Sequence, residues 1–453
     1  MMKKLIITST LLISLTTAGL AQEKSWTLND CMQYAVENSP LVKQKQYETD
    51  SYKADLLSSV GSVLPNIGAY SSAQYGFGRN IGDDNTYENE TTFRNYYELN
   101  GKIPLFKGGY YINTWQQAKV NVSLGKSSEQ VQKDDLAVKV MEAFMNVLYH
   151  KGTVHFAAEK LQESNANLYK NRRMEELGMK SYADVAQIEA QVAEGDYILT
   201  NQENLYNTAL LQLKQYMNFP YDEDLQVDTL ILANSYIAPA ENVEWIYDFA
   251  KEHNPTAREV AYNLKSKQLE VRKMKGFLFP EIAMNVGIST NYYRRLNYQA
   301  FDNEGILIRQ DGFHRQFKDK VGEYVTFSIS FPIFNGFTHM TNIRKVRNSA
   351  RIYAEQQTET LRNLQTLIEQ SVLDREGFVK EIIQMERKVN ADHVAYQVMV
   401  RKFEEGLASS LDVQTNANTL LNSKATLLQK KLNYIQRDKM VNYYKGIPLV
   451  ENN

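Results

Sequence analysis

The chain has 453 residues, room for two or three ordinary domains, and a formal charge of −2 from 51 basic and 53 acidic residues. That balance supplies no long-range attraction for nucleic acid or for an anionic membrane surface, so a nucleic-acid partner is not expected. Nine prolines and 22 glycines are few for this length, while 29 tyrosines and 18 phenylalanines are many, which suggests long helices combined with aromatic-rich strands.

Taken in order, Lys3 and Lys4 precede an apolar run over residues 5–20, and the small residues Ala18, Gly19 and Ala21 follow the pattern of a secretory signal, residues 1–21. No other stretch approaches 18 consecutive apolar residues, so no membrane-spanning helix is expected after it. Cys31 is the only cysteine, which excludes an intrachain disulfide and reads as a small buried residue on a helix. A helix is expected over 27–61, with Thr27 at its N-cap and a kink or restart at Pro40.

Leu64-Pro65 opens a first strand with Ile67, Ala69, Ala73, Tyr75 and Phe77 on one face. An exposed acidic loop (Asp83, Asp84, Glu88, Glu90) and a second strand over 96–109 come next. A helix of almost 70 residues is expected from Tyr110 to Leu177, roughly 100 Å long at 1.5 Å per residue. Its turn is ELGMKSYADV (176–185), with Gly178 as C-cap and Ser181 or Asp184 capping the next helix. That helix repeats apolar residues every seven positions (Val185, Val192, Leu199, Tyr206, Leu213) and stops before Pro220.

After a polar connector the order recurs. Pro40/Pro255, Gly61/Gly276 and Pro65/Pro280 are each separated by 215 residues. Pro104/Pro332, Gly108/Gly336, Gly178/Gly406, Ser181/Ser409, Asp184/Asp412 and Pro220/Pro448 are each separated by 228. The change of 13 falls in the loop after the third strand, where insertion is cheapest. The chain therefore divides into the signal (1–21), a first repeat (22–220), a connector (221–240), a second repeat (241–448) and a tail (449–453).

The third strand, 281–292, places Ile282, Met284, Val286, Ile288 and Tyr292 on one face; the fourth, YVTFSISFPIFNGF (324–337), does so with Val325, Phe327, Ile329, Phe331 and Ile333. This alternation fits a membrane barrel, apolar outside and polar or small inside, and equally a half-buried soluble sheet. The signal segment, the aromatic strand ends (Tyr75, Phe77, Tyr96, Tyr97, Tyr292, Tyr293) and the lack of a spanning helix favour the barrel. Four strands cannot close a barrel, and an open edge in lipid leaves backbone groups unpaired, so several copies must share one wall. Gly76, Gly78 and Gly82 read as room-makers in that wall rather than as a nucleotide fingerprint. The six histidines show no metal-ligand spacing and no nucleophile motif is present, so neither an enzyme nor a cofactor is expected. The rival reading is a secreted, soluble coiled-coil scaffold without transport activity.

The opening WTLNDCMQYAVENSP (26–40), the twin strand exits IPLFKGG (103–109) and FPIFNGF (331–337), and the twin turns ELGMKSYADV and EEGLASSLDV (404–413) together resemble the TolC-like outer membrane factors. The resemblance implies an α+β membrane protein in which three chains build one 12-stranded outer-membrane barrel, set in outer-membrane lipid and continued by a long α-helical coiled-coil barrel in the periplasm of a Gram-negative bacterium. It implies an exit duct for an efflux or type I secretion system, with a periplasmic adaptor (membrane fusion) protein and an inner-membrane transporter of RND or ABC type as partners. By position it implies adaptor docking at Leu177, Gly178, Lys180 and Ser181 in one turn and at Gly406, Leu407 and Ser409 in the other. Asp412 matches an acidic pore ring, with Asp184 its counterpart in the first repeat; helix capping is the alternative role for both. The second ring position is Thr415, and the basic residue expected two past each glycine is Lys180 in the first turn but Ala408 in the second, so the chain departs from the family pattern there.

Overall fold

The structure, a computed structural model, describes residues 25–81, 85–229, 236–297, 300, 301, 304 and 307–450; the expected signal lies outside them. Thr27 caps α1 (Leu28–Asn38) through a reciprocal box with Asp30, and Ser39 then caps α2 (Pro40–Gly61), which has Pro40 in its first turn. Pro40 thus starts a second helix instead of kinking one, because a first-turn proline gives up no intrahelical bond. The hairpin β2 (Asn66–Ile81) and β3 (Tyr87–Lys107) leads into α3 (Tyr110–Glu176) and α4 (Tyr182–Met217). The second repeat supplies α5 (Val243–His253), α6 (Pro255–Lys275), β5 (Glu281–Arg295), β8 (Gly322–Ser330), α8 (Thr338–Glu404) and α9 (Ser410–Tyr444). The connector ties back to the start of the described chain, where β1 (Ser25–Trp26) pairs in parallel with β4 (Gln226–Val227). No described helix is long and apolar enough to cross a membrane.

α3 and α8 are both 67 residues long. Shorter helices share their flanks. α2 and α6 lie along the strand-proximal part of α3, where Gly125 admits Thr49 and Gln117 donates to the Ser266 carbonyl at 3.2 Å. α4 covers the distal part, with Gly195 against Leu161 and Thr153 donating to Gln202 at 2.9 Å. Between these stretches each repeat builds a core from matching positions. Cys31, Ala35, Val42, Leu136, Val140, Phe144 and Leu213 are buried in the first; Ile246, Ala250, Ala257, Leu364, Ile368, Val372 and Val441 are buried in the second. Other matched pairs differ in burial, and one of them places a charge inside. Val147 is fully buried among apolar neighbours, whereas its equivalent Arg375 is 1% exposed and pairs with Glu241 at 3.1 Å and Asp438 at 3.2 Å. Arg375 also donates to the Pro239 carbonyl at 3.0 Å, and Lys445 reaches Glu241 at 3.1 Å. The ion cluster pins the connector to the second repeat.

The four long strands form one antiparallel sheet in the order β2-β3-β5-β8, so β2 and β8 are its edges. The register sets Ile67, Gly101, Val286 and Val325 in one row across all four strands, and Asn66, Lys102, Asn285 and Thr326 in a row on the opposite face. One face is apolar and aromatic. The other carries Lys102, Glu98 and Arg94, with Tyr324 donating to Glu98 at 2.8 Å. A Cβ at Gly287 would lie 2.6 Å from the Tyr324 ring, which explains the glycine there. Gly76 likewise leaves space for Thr92, Gly78 faces open space, and Gly82 lies outside the described residues.

Several sequence expectations are corrected. β3 begins at Tyr87, not at 96, so Glu88 and Glu90 belong to a strand, and Glu90 pairs with Arg295 at 2.6 Å on the polar face. β3 ends at Lys107, not at 109, and passes Pro104 with a register shift between Pro104 and Phe106, as expected where a ladder donor is missing. In β8 the strand stops at Ser330, before Pro332. Of the strand-end aromatics, Tyr75, Phe77, Tyr97 and Tyr292 share the apolar face, whereas Tyr96 and Tyr293 fall on the polar one.

The loop expected after the third strand contains two short paired strands, β6 (Ala300–Phe301) and β7 (Leu307–Ile308), and the helix α7 (Phe313–Asp319). β5 outruns β8, and side-chain amides take the place of a neighbouring strand along the excess. Gln316 receives the Tyr293 N–H at 3.1 Å and donates to the Tyr293 carbonyl at 2.9 Å. Gln310 does the same for Arg295, at 2.9 and 2.7 Å. α7 is thereby fixed against the apolar face, with Phe317 at 5.4 Å from Tyr97 and Phe313 at 5.3 Å from Tyr292 between ring centroids.

Candidate functional site

The candidate site is the pair of turns at the end of the helices remote from the sheet. Both are built by the same local chemistry. α3 is capped by Leu177, and Gly178 takes a left-handed conformation, φ 73°, so that its N–H reaches the Glu175 carbonyl at 2.8 Å while Met179 reaches Met174 at 2.8 Å. α8 is capped by Glu405, and Gly406 at φ 76° repeats the arrangement with Phe403 at 3.1 Å, Leu407 bonding Lys402 at 2.8 Å. Left-handed backbone carries a steric cost for any residue with a Cβ, which accounts for glycine at both positions.

Ser181 and Ser409 are the N-caps of α4 and α9. Asp184 and Asp412 occupy the third helical position of each capping box. Asp184 Oδ2 accepts from the Ser181 hydroxyl at 2.8 Å and backbone N–H at 3.3 Å; Asp412 Oδ2 accepts from Ser409 at 2.6 and 2.9 Å. These aspartates therefore support the caps without being caps themselves. The serine hydrogen bonds, hydroxyl first and backbone second, hold both carboxyls below the ordinary aspartate range. Both side chains are exposed on the single chain. Thr415 turns inward on its own helix, donating to the Leu411 carbonyl at 2.9 Å.

The two turns lean on each other. Lys180 lies 4.7 Å over the Phe403 ring, so this cation bridges the turns. Ile188, Phe403 and Val413 form a small buried cluster beneath them. Gln191 donates to the Ser410 carbonyl at 3.1 Å, Lys170 pairs with Glu404 at 2.8 Å, and Tyr396 donates to Glu163 at 2.8 Å. Burial, then the Glu163 charge, pushes the Tyr396 hydroxyl far above its usual value. A cleft of about 550 Å³ between the hairpins is lined by Lys160, Glu163, Lys170, Tyr396, Arg401 and Glu404. Beyond the bridge the end surface is apolar: Leu177 is 62% and Leu407 73% exposed, and Met179, Tyr182 and Leu411 stand beside them.

The structure brings all the sequence-derived tip residues to one end of the molecule. The bridging of Lys180 to Phe403 and the cross-ties through Tyr396 and Lys170 were missed, because they join residues more than 220 positions apart and have no local signal. Among the described residues, no three or more His, Cys, Asp or Glu side chains gather as metal ligands.

Residues 246–440 match the family described as "Outer membrane efflux protein". No curated protein sequence matches the chain significantly. Among solved structures, CusC, described for conformational changes accompanying folding and transmembrane channel formation, superposes with a TM-score of 0.79 at 15% identity, over 95% of this chain and 96% of that one. The outer membrane protein VceC of Vibrio cholerae gives 0.77 at 13% identity over 92% and 96%. The outer membrane channel CmeC of Campylobacter jejuni gives 0.75 at 13% identity over 94% and 87%. By sequence over its second repeat, and by fold along nearly its whole length, the chain resembles the TolC-like outer membrane efflux proteins.

Proposed function

We propose that this chain is the outer-membrane exit duct of a tripartite efflux or type I secretion system. The observation that carries the proposal is a four-stranded sheet with one apolar and one charged face and two open edges, joined to helices of 67 residues. In lipid the edge strands β2 and β8 require partners, because unpaired backbone groups there cost several kcal/mol each. Three copies joined edge to edge make a 12-stranded wall, with Lys102, Glu98 and Arg94 facing a water-filled lumen and Val286, Val325 and Phe327 facing lipid. The helices, roughly 100 Å long, continue the conduit across the periplasm.

The exposed apolar end around Leu177 and Leu407 is where an adaptor protein docks, and an RND or ABC transporter in the inner membrane supplies the energy. Transport through the duct itself is passive. Asp412, and behind it Asp184, bring carboxylates to the narrow end, where three copies attract cations. Two measurements test this. An unheated detergent extract should run as an oligomer that heating dissociates, and the purified protein should conduct in planar bilayers. Recovery of a monomer from the soluble fraction would support the scaffold reading instead. Asp412→Ala should lower cation selectivity in single-channel recordings; unchanged selectivity would remove the aspartate from the pore.

A further inference from the structure

We propose that α7 is an interfacial helix on the outside of the barrel wall that binds the phosphate of an anionic outer-leaflet lipid through Arg294, Arg309 and Lys318. Height is the first observation. β5 begins at Glu281, next to the helix end, and α7 contacts it from Thr290, which donates to the Phe317 carbonyl at 2.7 Å, up to Tyr293. Nine residues at about 3.4 Å along a strand tilted by about 40° rise roughly 23 Å, close to the ~25 Å apolar band of a membrane barrel. The helix therefore sits where acyl chains give way to headgroups.

The second observation is which face it occupies. Phe313 and Phe317 pack on Tyr97 and Tyr292, which lie on the same face as Val286 and Val325, the lipid side of the wall. Both phenylalanines keep surface free, 44% and 38%, as a helix half-sunk in an interface does.

Charge is the third. The carboxylates of the segment, Asp311 and Asp319, are both engaged by Arg315, at 3.3 and 3.5 Å. Arg309 and Lys318 have no carboxylate within ion-pair distance among the described residues, and neither does Arg294, exposed on the outer face one step past Tyr292. Lys320 is held by Gln316 at 2.6 Å, and Glu323 is the acidic residue of the same outer face below. Cations held at headgroup height beside an apolar seat match a lipid phosphate, with its negative charge above and its chains below.

The inference rests on the duct reading. The test is a binding titration of the delipidated, detergent-solubilised full chain with diphosphoryl lipid A, with its dephosphorylated counterpart and with inorganic phosphate. Diphosphoryl lipid should bind more tightly than the dephosphorylated form. The Arg294→Ser/Arg309→Ser/Lys318→Ser variant should lose about fivefold in affinity per cation removed while binding dephosphorylated lipid unchanged. The charge-preserving Arg294→Lys/Arg309→Lys/Lys318→Arg variant should restore binding, which a merely misfolded helix would not. Equal affinity for both lipids, an unaffected serine variant, or full displacement by inorganic phosphate overturns the role of α7. A wild-type protein that fails to insert into vesicles of any composition overturns the duct reading as well, and is separately visible.

Discussion

The two repeats of this chain are the same construction with different finishing. Where the backbone is forced into an uncommon shape, the copies agree: glycine at φ 73° and 76° after the long helices, and a Ser–Asp capping box after each turn. Where side chains meet different surroundings, they diverge. Val147 completes an apolar core, while Arg375 at the equivalent place is clamped by Glu241, Asp438 and the connector, which only the second repeat meets in this way. Pro104 produces a register shift inside a central strand, whereas Pro332 lies beyond the end of an edge strand. The strand-to-helix junction keeps a left-handed backbone in both copies and changes only its residue, Gly109 in one and Phe337 in the other. The repeat fixes conformation, and the neighbourhood decides chemistry.

The sharpest way to break that contrast is at its most unequal pair. Arg375→Val, which writes the first repeat's residue into the second, should destabilise the protein by about 3 kcal/mol, because Glu241 is left buried with Lys445 as its remaining cation. Thermal unfolding in detergent measures this; an unchanged midpoint would mean that the apolar solution serves both repeats. Next come the equal pair, Gly178→Ala and Gly406→Ala, each expected to cost ~1–2 kcal/mol of local stability in hydrogen exchange around its own turn. A large difference between them would break the symmetry.

Ser181→Ala and Ser409→Ala should each cost about 1 kcal/mol. Their pH dependence follows from Asp184 and Asp412, whose folded-state values are depressed by the serine bonds. The stabilisation is complete above the unfolded value of about 3.9 and is lost as pH falls through the lower folded value. Amide protection at Val185 and Val413 should therefore be full above the ordinary aspartate range and fall as the pH drops below it, together in both turns. The smallest effect belongs to the asymmetric cation: Lys180→Ala should lose about 0.5–1 kcal/mol in a double-mutant cycle with Phe403→Leu. The second turn offers Ala408 and no such term.

Much of this was legible beforehand because duplication turns weak local signals into a spaced set. The first long helix starts at the expected Tyr110, and the turns and caps follow from Gly and Ser alone. The start of β3 is hidden in the sequence because Glu88 and Glu90, polar residues on the polar side of a strand, look like a loop. α7 is seven residues long, too short for a periodicity, and its position depends on Gln316 finding the bare edge of β5. Arg375 reads as a solvent-facing residue on a long helix; its burial requires Pro239 and Glu241, some 135 positions away. Which oxygen of the capping pair does which job is likewise a matter of geometry, since serine and aspartate can each begin a helix.

The identical length of α3 and α8 has a mechanical result. Two arms of equal span leave their bends at one level, so a ring of copies would present a flat rim with no teeth. Removing four residues from a single arm would lift one bend by about 6 Å, and a partner that seats on all bends at once would then touch only every other one.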